Sequence, residues 1–372
     1  MSSQGRKPRY IVKIGGTQTL PLSCRVVNNS HFQCDTFEIG LEAWQQPDNF
    51  GLAYWDGAGD TQVEILFGTL GADDDPGAIP SDLSSLLIGN VDDVDIHLDT
   101  GQLTISGRDL TARFIDNKIA KSWPDHTASQ IVTDLCGMVG ITPNVTSTKT
   151  AVGKYQNGAY AAQRRDIPMW DLITFLAEQE GFDAFVTAST LYFGPPLADS
   201  KTPLTVMVQP PSTGNPGVNI STETLKLHRS LTLAKDIAVT VISYDAGKKV
   251  PIKAVARRQG SNKAGSTSFR TGKTSQNYVI RRAGLTQQQA VDLAQKTLAD
   301  LSKHERTVEI QAPPDGGVSS RTKLTISGTN TGFDTDYFVD TVTRDYRSQG
   351  GAFFHSMTVT AKNHQVESQP DA

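Results

Sequence analysis

The chain has 372 residues and a formal net charge of −4, with 37% hydrophobic and 20% charged residues. That length fits two or three domains of about 150 residues each and is enough to bury a core without staples. The composition excludes an intrinsically disordered chain, no apolar run approaches the roughly 18–20 residues that span a bilayer, and the three cysteines exclude a disulfide scaffold.

The opening residues Met1–Arg9 are basic with no apolar stretch behind them, which is not the pattern of a secretory signal. Short apolar or alternating runs then follow at Tyr10–Ile14, Thr36–Leu41, Gln62–Phe67 and Val94–Leu98, bounded by Gly, Asn, Asp and Pro. Such spacing predicts a barrel or sandwich, and Asn28-Asn29-Ser30 reads as a hairpin turn between two of the strands. The middle of the chain changes period. Thr127 and Gln130 form a capping box, Ile131, Val132, Leu135, Cys136 and Val139 follow helical spacing, and Gly140 closes the helix. A second helix is predicted from Asp166, with Pro168 in its first turn, Trp170, Ile173, Phe175, Leu176 and Ala177 as its apolar residues, and Gly181 as its stop. A strand at Thr190–Phe193 ends at Pro195-Pro196, and Pro210–Ser221 reads as a loop or boundary. Strands return at Ile237–Ser243, Lys323–Ile326, Asp336–Val339 and Ser356–Thr360. One helix interrupts them, capped by Thr286 and Gln289, with Ala290, Leu293, Ala294, Thr297, Leu298 and Leu301 on one face. From Gln365 on the chain reads as a disordered tail. Leu103-Thr-Ile-Ser-Gly107 recurs as Leu324-Thr-Ile-Ser-Gly328, which chance, a common strand ending or a duplicated β-domain would each produce.

Charge is segregated. Residues Val26–Gly107 carry no Lys or Arg and fifteen acids, while Ala246–Arg282 carry no Asp or Glu and ten bases. Segregation on this scale concerns partners and association, not fold. Two solvated faces, complementary faces on neighbouring subunits, a surface that repels DNA and a nucleic-acid patch are the readings it allows. Only Phe269 and Tyr278 accompany the basic block, which gives poor support to a base-stacking platform.

No catalytic constellation stands out. Gly265 and Gly272-Lys273-Thr274 have six residues between the glycines where a P-loop needs four, so the segment reads as a flexible basic loop. Cys24, His31 and Cys34 lack zinc-ligand spacing, and Cys136 falls on an apolar helix face, so the thiols read as buried apolar groups. No His-x-x-x-His pair or Gly-x-Ser-x-Gly elbow is present. Glu38, Glu42, Glu178 and Glu180 have ordinary surface explanations. The runs Asp73–Asp75 and Asp92–Asp95 lack the Gly and terminal Glu of an EF-hand loop and read as solvated loop acids. No cofactor or metal is expected.

Five stretches in order resemble the baseplate-hub family of contractile-tailed bacteriophages, the late-control protein D-like hubs. They are Leu103–Asp116 with its Gly107-Arg108-Asp109, the capped helix Thr127–Gly140 with Ile141-Thr-Pro143, Met169–Gly181 with Leu191–Gly194, Leu231–Asp245, and Leu324–Val339 with Gly328–Asp334, closed by Gly350-Gly351 and Thr358–Asn363. The resemblance implies a mainly β fold with α+β insertions: two tail-tube-like β-barrel domains in tandem plus a smaller mixed α/β domain. The expected divisions are 1–115 for the first barrel, 116–208 for the mixed domain with two helices, 209–364 for the second barrel with one helix and a basic loop, and 365–372 for the tail. It implies a non-enzymatic protein, a homotrimer whose ring adapts the sixfold tail tube, met directly or through a tube-adaptor protein above, to a separate threefold spike below. Other baseplate proteins and passing DNA are further implied partners. The virion tail is the expected location, with assembly in the host bacterial cytoplasm.

A bore for DNA must not hold phosphates. Asp56, Asp60, Asp73, Asp74, Asp75, Asp92, Asp93 and Asp95 are therefore expected to face the lumen. Lys248, Lys249, Lys253, Arg257, Arg258, Lys263, Arg270, Lys273, Arg281 and Arg282 are expected to meet a neighbouring subunit or baseplate protein. The competing readings are a peptidoglycan-degrading tail-tip enzyme, a carbohydrate-binding module, and the hub of a phage-derived injection particle or secretion device. The sparse Trp44, Trp55, Trp123 and Trp170 count against the glycan module.

Overall fold

The computed structural model describes residues 7–19, 21–30, 32–44, 50–71, 74–75, 78–149, 167–195, 203–212, 217–230, 237–245, 250–258, 276–282, 285, 287–349, 352–363 and 369–370. The strands are β1 (Lys7–Ile14), β2 (Thr17–Thr19), β3 (Ser23–Asn29), β4 (Thr36–Glu42), β5 (Gln62–Leu70), β6 (Ser84–His97), β7 (Gln102–Asp109), β8 (Lys118–Ile119), β9 (Thr142–Val145), β10 (Ile167–Pro168), β11 (Asp183–Thr187), β12 (Thr190–Gly194), β13 (Leu204–Gln209), β14 (Asn219–Ile220), β15 (Thr224–Arg229), β16 (Ile237–Asp245), β17 (Val250–Arg258), β18 (Gln276–Arg281), β19 (Arg306–Ala312), β20 (Lys323–Ser327), β21 (Asp336–Gln349), β22 (Ala352–Asn363) and β23 (Gln369–Pro370). The helices are α1 (Leu52–Asp56), α2 (Ala112–Asp116), α3 (Ala128–Val139), α4 (Met169–Glu180) and α5 (Gln287–Lys303). The fold is mainly β with α insertions. Among the described residues no helix is long and apolar enough to cross a membrane.

The chain forms two compact units, and neither is continuous in sequence. The first takes Met1–Ser200, Gln311–Arg321 and Asp340–Val359; the second takes Lys201–Ile310, Thr322–Val339 and Thr360–Ala372.

In the first unit an antiparallel sheet runs in the order β21–β3–β4–β7–β6–β5–β1–β2. Alternation decides its faces. Along β4, Phe37, Ile39 and Leu41 are buried, and they lie opposite Gly107, Ile105 and Leu103 of β7. A one-residue slip would turn this whole set to solvent, so the burial pattern pins the register. The sheet curls: the Tyr10 ring of β1 lies 5.4 Å from Tyr346 of β21 and 6.0 Å from His355 of β22, although β1 and β21 lie toward opposite ends of the strand order. Inside the curl sit Val12, Ile14, Val26, Val63, Ile65, Phe67 and Leu87 with Phe50 and Trp55. Each large apolar side chain buried in this way contributes about 1.5–3 kcal/mol.

A second core in the same unit is built by α3 and α4 against the sheet β11–β12–β9. The α3 capping box is complete, with Thr127 accepting from the Gln130 N–H and the Gln130 side chain accepting from the Thr127 N–H. Gly140 and Gly181 end α3 and α4 at φ +69° each, the left-handed position that glycine adopts without strain. Pro168 stands one residue before α4, pairing with Lys118, and not inside the first turn as the sequence predicts; Asp166 lies outside the described residues.

In the second unit α5 packs Ala290, Ala294 and Leu298, spaced by four, onto Ile237, Val239, Val241, Ala254 and Ala256 of the sheet β18–β16–β17–β23. The Thr286 cap lies outside the described residues. Gln369–Pro370, expected in the tail, instead pair with Arg257 and Ala256 as β23; residues 365–368 and 371–372 lie outside the described ones. Elsewhere in this unit β13 pairs in parallel with β20, whose other edge takes residues 336–338 of β21.

Two further expectations are corrected. Asn28 and Asn29 are strand residues, paired with Val342 and Thr341 of β21, and the turn follows them; their side chains bond Asp35 and the Cys34 carbonyl, which fills the hydrogen-bonding role a turn would have used. The strand expected at Val94–Leu98 is the end of a longer one, β6, so Asp92, Asp93 and Asp95 are strand residues and not loop acids. A bulge between Val91 and Asp93 breaks the alternation that would have revealed its length.

The repeated Leu-Thr-Ile-Ser-Gly strands share a close approach at their glycines. A Cβ on Gly107 would lie 2.1 Å from the Asn90 carbonyl oxygen, and one on Gly328 would lie 2.0 Å from that of Val208. Their neighbours differ: β7 is antiparallel to both β4 and β6, whereas β20 is parallel to β13. Gly137, exposed inside α3, meets nothing within 4 Å. Two glycine-to-alanine changes should therefore have opposite signs in urea denaturation. Gly107→Ala is expected to destabilise by about 1–3 kcal/mol through overpacking, and Gly137→Ala to stabilise by about 0.5–1 kcal/mol through helix propensity.

Candidate functional site

The acids of the first unit fall in separate places. Asp56 ends α1 and Asp60 follows it; Asp74 and Asp75 lie in the β5–β6 connection; Asp92, Asp93 and Asp95 belong to β6. All seven are exposed, and Asp73 lies outside the described residues. On β6 the alternation sends Val94 and Ile96 toward the core and Asp93 and Asp95 to the outside. Asp74 is partly engaged, accepting the Gly71 N–H at 2.6 Å.

Asp92 has a structural partner. Arg108, the first base after the Lys/Arg-free stretch, grips Asp92 with Nε and Nη2 at 2.6 and 2.9 Å, and Asp116 with Nη1 and Nη2 at 3.1 and 2.8 Å. These forks raise the Arg108 pKa above its ordinary value. Each residue of the Gly107-Arg108-Asp109 motif thus has a mechanical task at the passage from the sheet to the helices. Gly107 lets two strands close, Arg108 ties β6 to α2, and Asp109 accepts from the N–H and hydroxyl of Thr111 just ahead of α2.

Of the basic block, Lys253, Arg257 and Arg258 lie on β17, with Arg281 and Arg282 at the end of β18; Lys248, Lys249, Lys263, Arg270 and Lys273 lie outside the described residues. Register brings Lys253 and Arg281 to either side of Ile242, on the sheet face away from α5. Exposed Val279 and Tyr244 share that face, which mixes cations with apolar surface.

A cavity in the first unit carries a charged cluster that no sequence motif marks. Its volume is about 160 Å³, and its lining includes Asn28, Asp35, Asp109, Phe185, Arg321 and Arg344. Arg344 is 1% exposed, and among the described residues no carboxylate forms a direct ion pair with it. Its Nη1 donates to Asn28 Oδ1 at 2.9 Å, its Nη2 to the carbonyls of Asp315 and Val318, and its Nε is buried with no acceptor. Arg321 stacks on the Phe185 ring, 3.2 Å from its centroid. Burial pulls both guanidinium pKa values down. Asp35 accepts from Asn28 Nδ2 at 2.8 Å and from the Asn29 N–H at 2.7 Å, and burial raises its pKa. Burial first, then the charge of Asp35, pushes Asp109 up to about 8. The one signal in the sequence was phase: Arg344 falls on the buried alternation of β21 with Val342, a position that ordinarily takes an apolar residue.

Cys24 and Cys136 are buried and Cys34 is half-buried, all as free thiols; burial pushes Cys24 and Cys136 up to about 12, which makes them inert. Among the described residues no group of three or more His, Cys, Asp or Glu can hold a metal ion.

No protein-family model matches the chain, and no curated protein matches its sequence. Solved structures do match its fold. A tail protein from Neisseria meningitidis aligns over 96% of this chain and 96% of its own, with a TM-score of 0.67 and 14% identity. The 43 kDa tail protein of prophage MuSo2 from Shewanella oneidensis aligns over 95% of this chain and 98% of its own, with a TM-score of 0.62 and 14% identity. An Escherichia coli component of the type VI secretion system, described as structurally similar to bacteriophage T4 tail proteins, aligns over 95% of this chain and 77% of its own, with a TM-score of 0.50 and 10% identity. The chain has the fold of these tail proteins, in agreement with the hub resemblance read from its sequence.

Two outcomes test the buried cluster. Arg344→Met should destabilise the chain by about 3–5 kcal/mol in chemical denaturation, because it strips carbonyls and an amide of their partner in the interior. Asp109 has an ordinary value of 3.8 and a folded value of about 8, so the folded state holds a proton that the unfolded state has lost between those limits. Its contribution to stability should fall as pH rises from 3.8 to about 8, by up to about 1.4 kcal/mol per unit, and level off above. Asp109→Asn should flatten that slope when denaturation is compared at the two ends of the range.

Proposed function

We propose that the chain is a structural hub of a contractile phage tail, working by assembly and not by catalysis. The observation that carries this reading is the end-to-end likeness of fold to phage tail proteins, with 96% of both chains aligned at a TM-score of 0.67 in one case. In this reading three copies close a ring, and each contributes two tube-like barrels. The ring meets the sixfold tail tube on one side and a separate spike on the other, and forms part of the DNA conduit. The chain then resides in the virion baseplate after assembly in the bacterial cytoplasm.

Physical features support the reading. A ring of this kind covers strand edges and mixed apolar–cationic faces that a lone copy leaves open. Lys253 and Arg281, with Val279 and Tyr244 beside them, form such a face in the second unit. The exposed carboxylates of the Lys/Arg-free stretch Val26–Gly107 suit a bore through which DNA slides, since fixed cations would hold phosphates. Asp56, Asp60, Asp74, Asp75, Asp93 and Asp95 are the exposed carboxylates that would face it; Asp92 serves Arg108 as well. The second reading, the hub of an injection or secretion device that carries no DNA, is favoured by the likeness to the type VI component.

Native mass spectrometry of the full chain, alone and with a candidate spike protein, tests the hub reading. A trimer in either sample is the expected result, and a persistent monomer in both overturns it. The combined change Lys253→Glu, Arg257→Glu and Arg281→Glu should abolish the trimer while circular dichroism and the unfolding midpoint stay near wild type. An unchanged trimer would remove the basic face from the interface.

A further inference from the structure

The cavity of the first unit holds a cluster of ionisable groups that the hub reading does not use. Two guanidinium groups line it. Among the described residues neither forms a direct ion pair; Asp35 accepts from Asn28 and Asn29 and acts on both guanidinium groups only through its charge. Arg344 donates from both Nη atoms and is left with a buried, unpartnered Nε. Arg321 is held by the face of Phe185, which fixes its plane and leaves its N–H groups without an acceptor among the described residues. A fork of donors held flat against an aromatic ring is preorganised for a planar or tetrahedral anion. Of the two carboxyl groups that line the cavity, Asp35 and Asp109, burial pushes the second up to about 8, which weakens the negative charge it sets against the guanidinium groups near neutral pH. The space also fits. About 160 Å³ is far more than the about 10–15 Å³ that one water needs, and the lining mixes polar and charged groups with apolar ones, unlike that of an empty apolar void.

We propose that this cavity binds a small tetrahedral oxyanion of the inorganic phosphate class, held by Arg321 and counterbalancing the buried Arg344. The bound ion accepts the free N–H groups of Arg321 and neutralises positive charge that burial otherwise penalises. Because Arg321 and Arg344 come from the two late-chain segments of the first unit, the ion also fastens those segments to the barrel and to Phe185 of β11. The site does not depend on which machine the chain serves.

The test is isothermal titration of the full chain with inorganic phosphate at neutral pH, with chloride matched for ionic strength, supported by unfolding midpoints under the same conditions. Saturable binding of one phosphate per chain is expected, with a matching rise in the midpoint. Arg321→Gln should weaken binding at least about tenfold, equivalent to about 1.4 kcal/mol. Lys226→Gln, which removes the same charge from an exposed pair with Glu309, should bind as wild type does. Should Arg321→Gln fail to fold, Arg321→Lys retains the charge without the fork and should still bind measurably more weakly than wild type. No saturable heat, or equal affinity in wild type and the Arg321 variants, overturns the proposal and leaves a cavity filled by water.

Discussion

The guanidinium of Arg344 reaches across a sequence separation of 316 residues to Asn28 and holds the carbonyls of Asp315 and Val318 at the same time. Its strand supplies the other half of that constraint, since residues 341–347 of β21 pair with β3 along its whole length. The first unit is therefore finished by residues near the end of the chain. Without β21 the edge of β3 would stand open as a template for other strands. Without the Arg344 head group the segment Gln311–Arg321 would lose bonds that seat it in the first unit. Closing such a long loop costs entropy before any contact rewards it, so this unit is expected to form late and cooperatively.

The two kinds of electrostatics in the molecule divide by burial. At the surface, Arg108 with Asp92 and Asp116 is a local brace between β6 and α2, partly exposed and screened by salt. In the interior, the same guanidinium chemistry on Arg344 is committed to carbonyls, and Arg321 rests on an aromatic ring. The exposed acids and bases of the segregated blocks belong to the first class. They contribute little to folding, and their role lies in what approaches the surface.

Much of the fold was legible because it rests on local rules. The capping box at Thr127 and Gln130, the left-handed glycines at 140 and 181, and the i, i+4 spacing of Ala290, Ala294 and Leu298 each appear where the sequence predicts them. What was misread lay where a distant partner overrode a local signal. Asn28 and Asn29 have turn chemistry, yet β21 draws them into a strand and Asp35 and Cys34 take up their side chains. The acids of β6 look like loop residues because a bulge and a long exposed face hide the strand's period. The buried arginine cluster left only the faint mark of a charged residue in an apolar phase.

By itself, the sequence determined the class of elements, their order, the apolar faces, the segregation of charge and the resemblance to tail hubs, because composition and periodicity act over a few residues at a time. Only the tertiary structure decided which late segments complete the first unit, that Arg108 holds two carboxylates, and that Asp35, Asp109, Arg321 and Arg344 meet around one cavity. Those residues are separated by up to hundreds of positions. Nothing in a local window specifies that they meet; the pairing of β3 with β21 does, by bringing the two ends of the chain into one sheet.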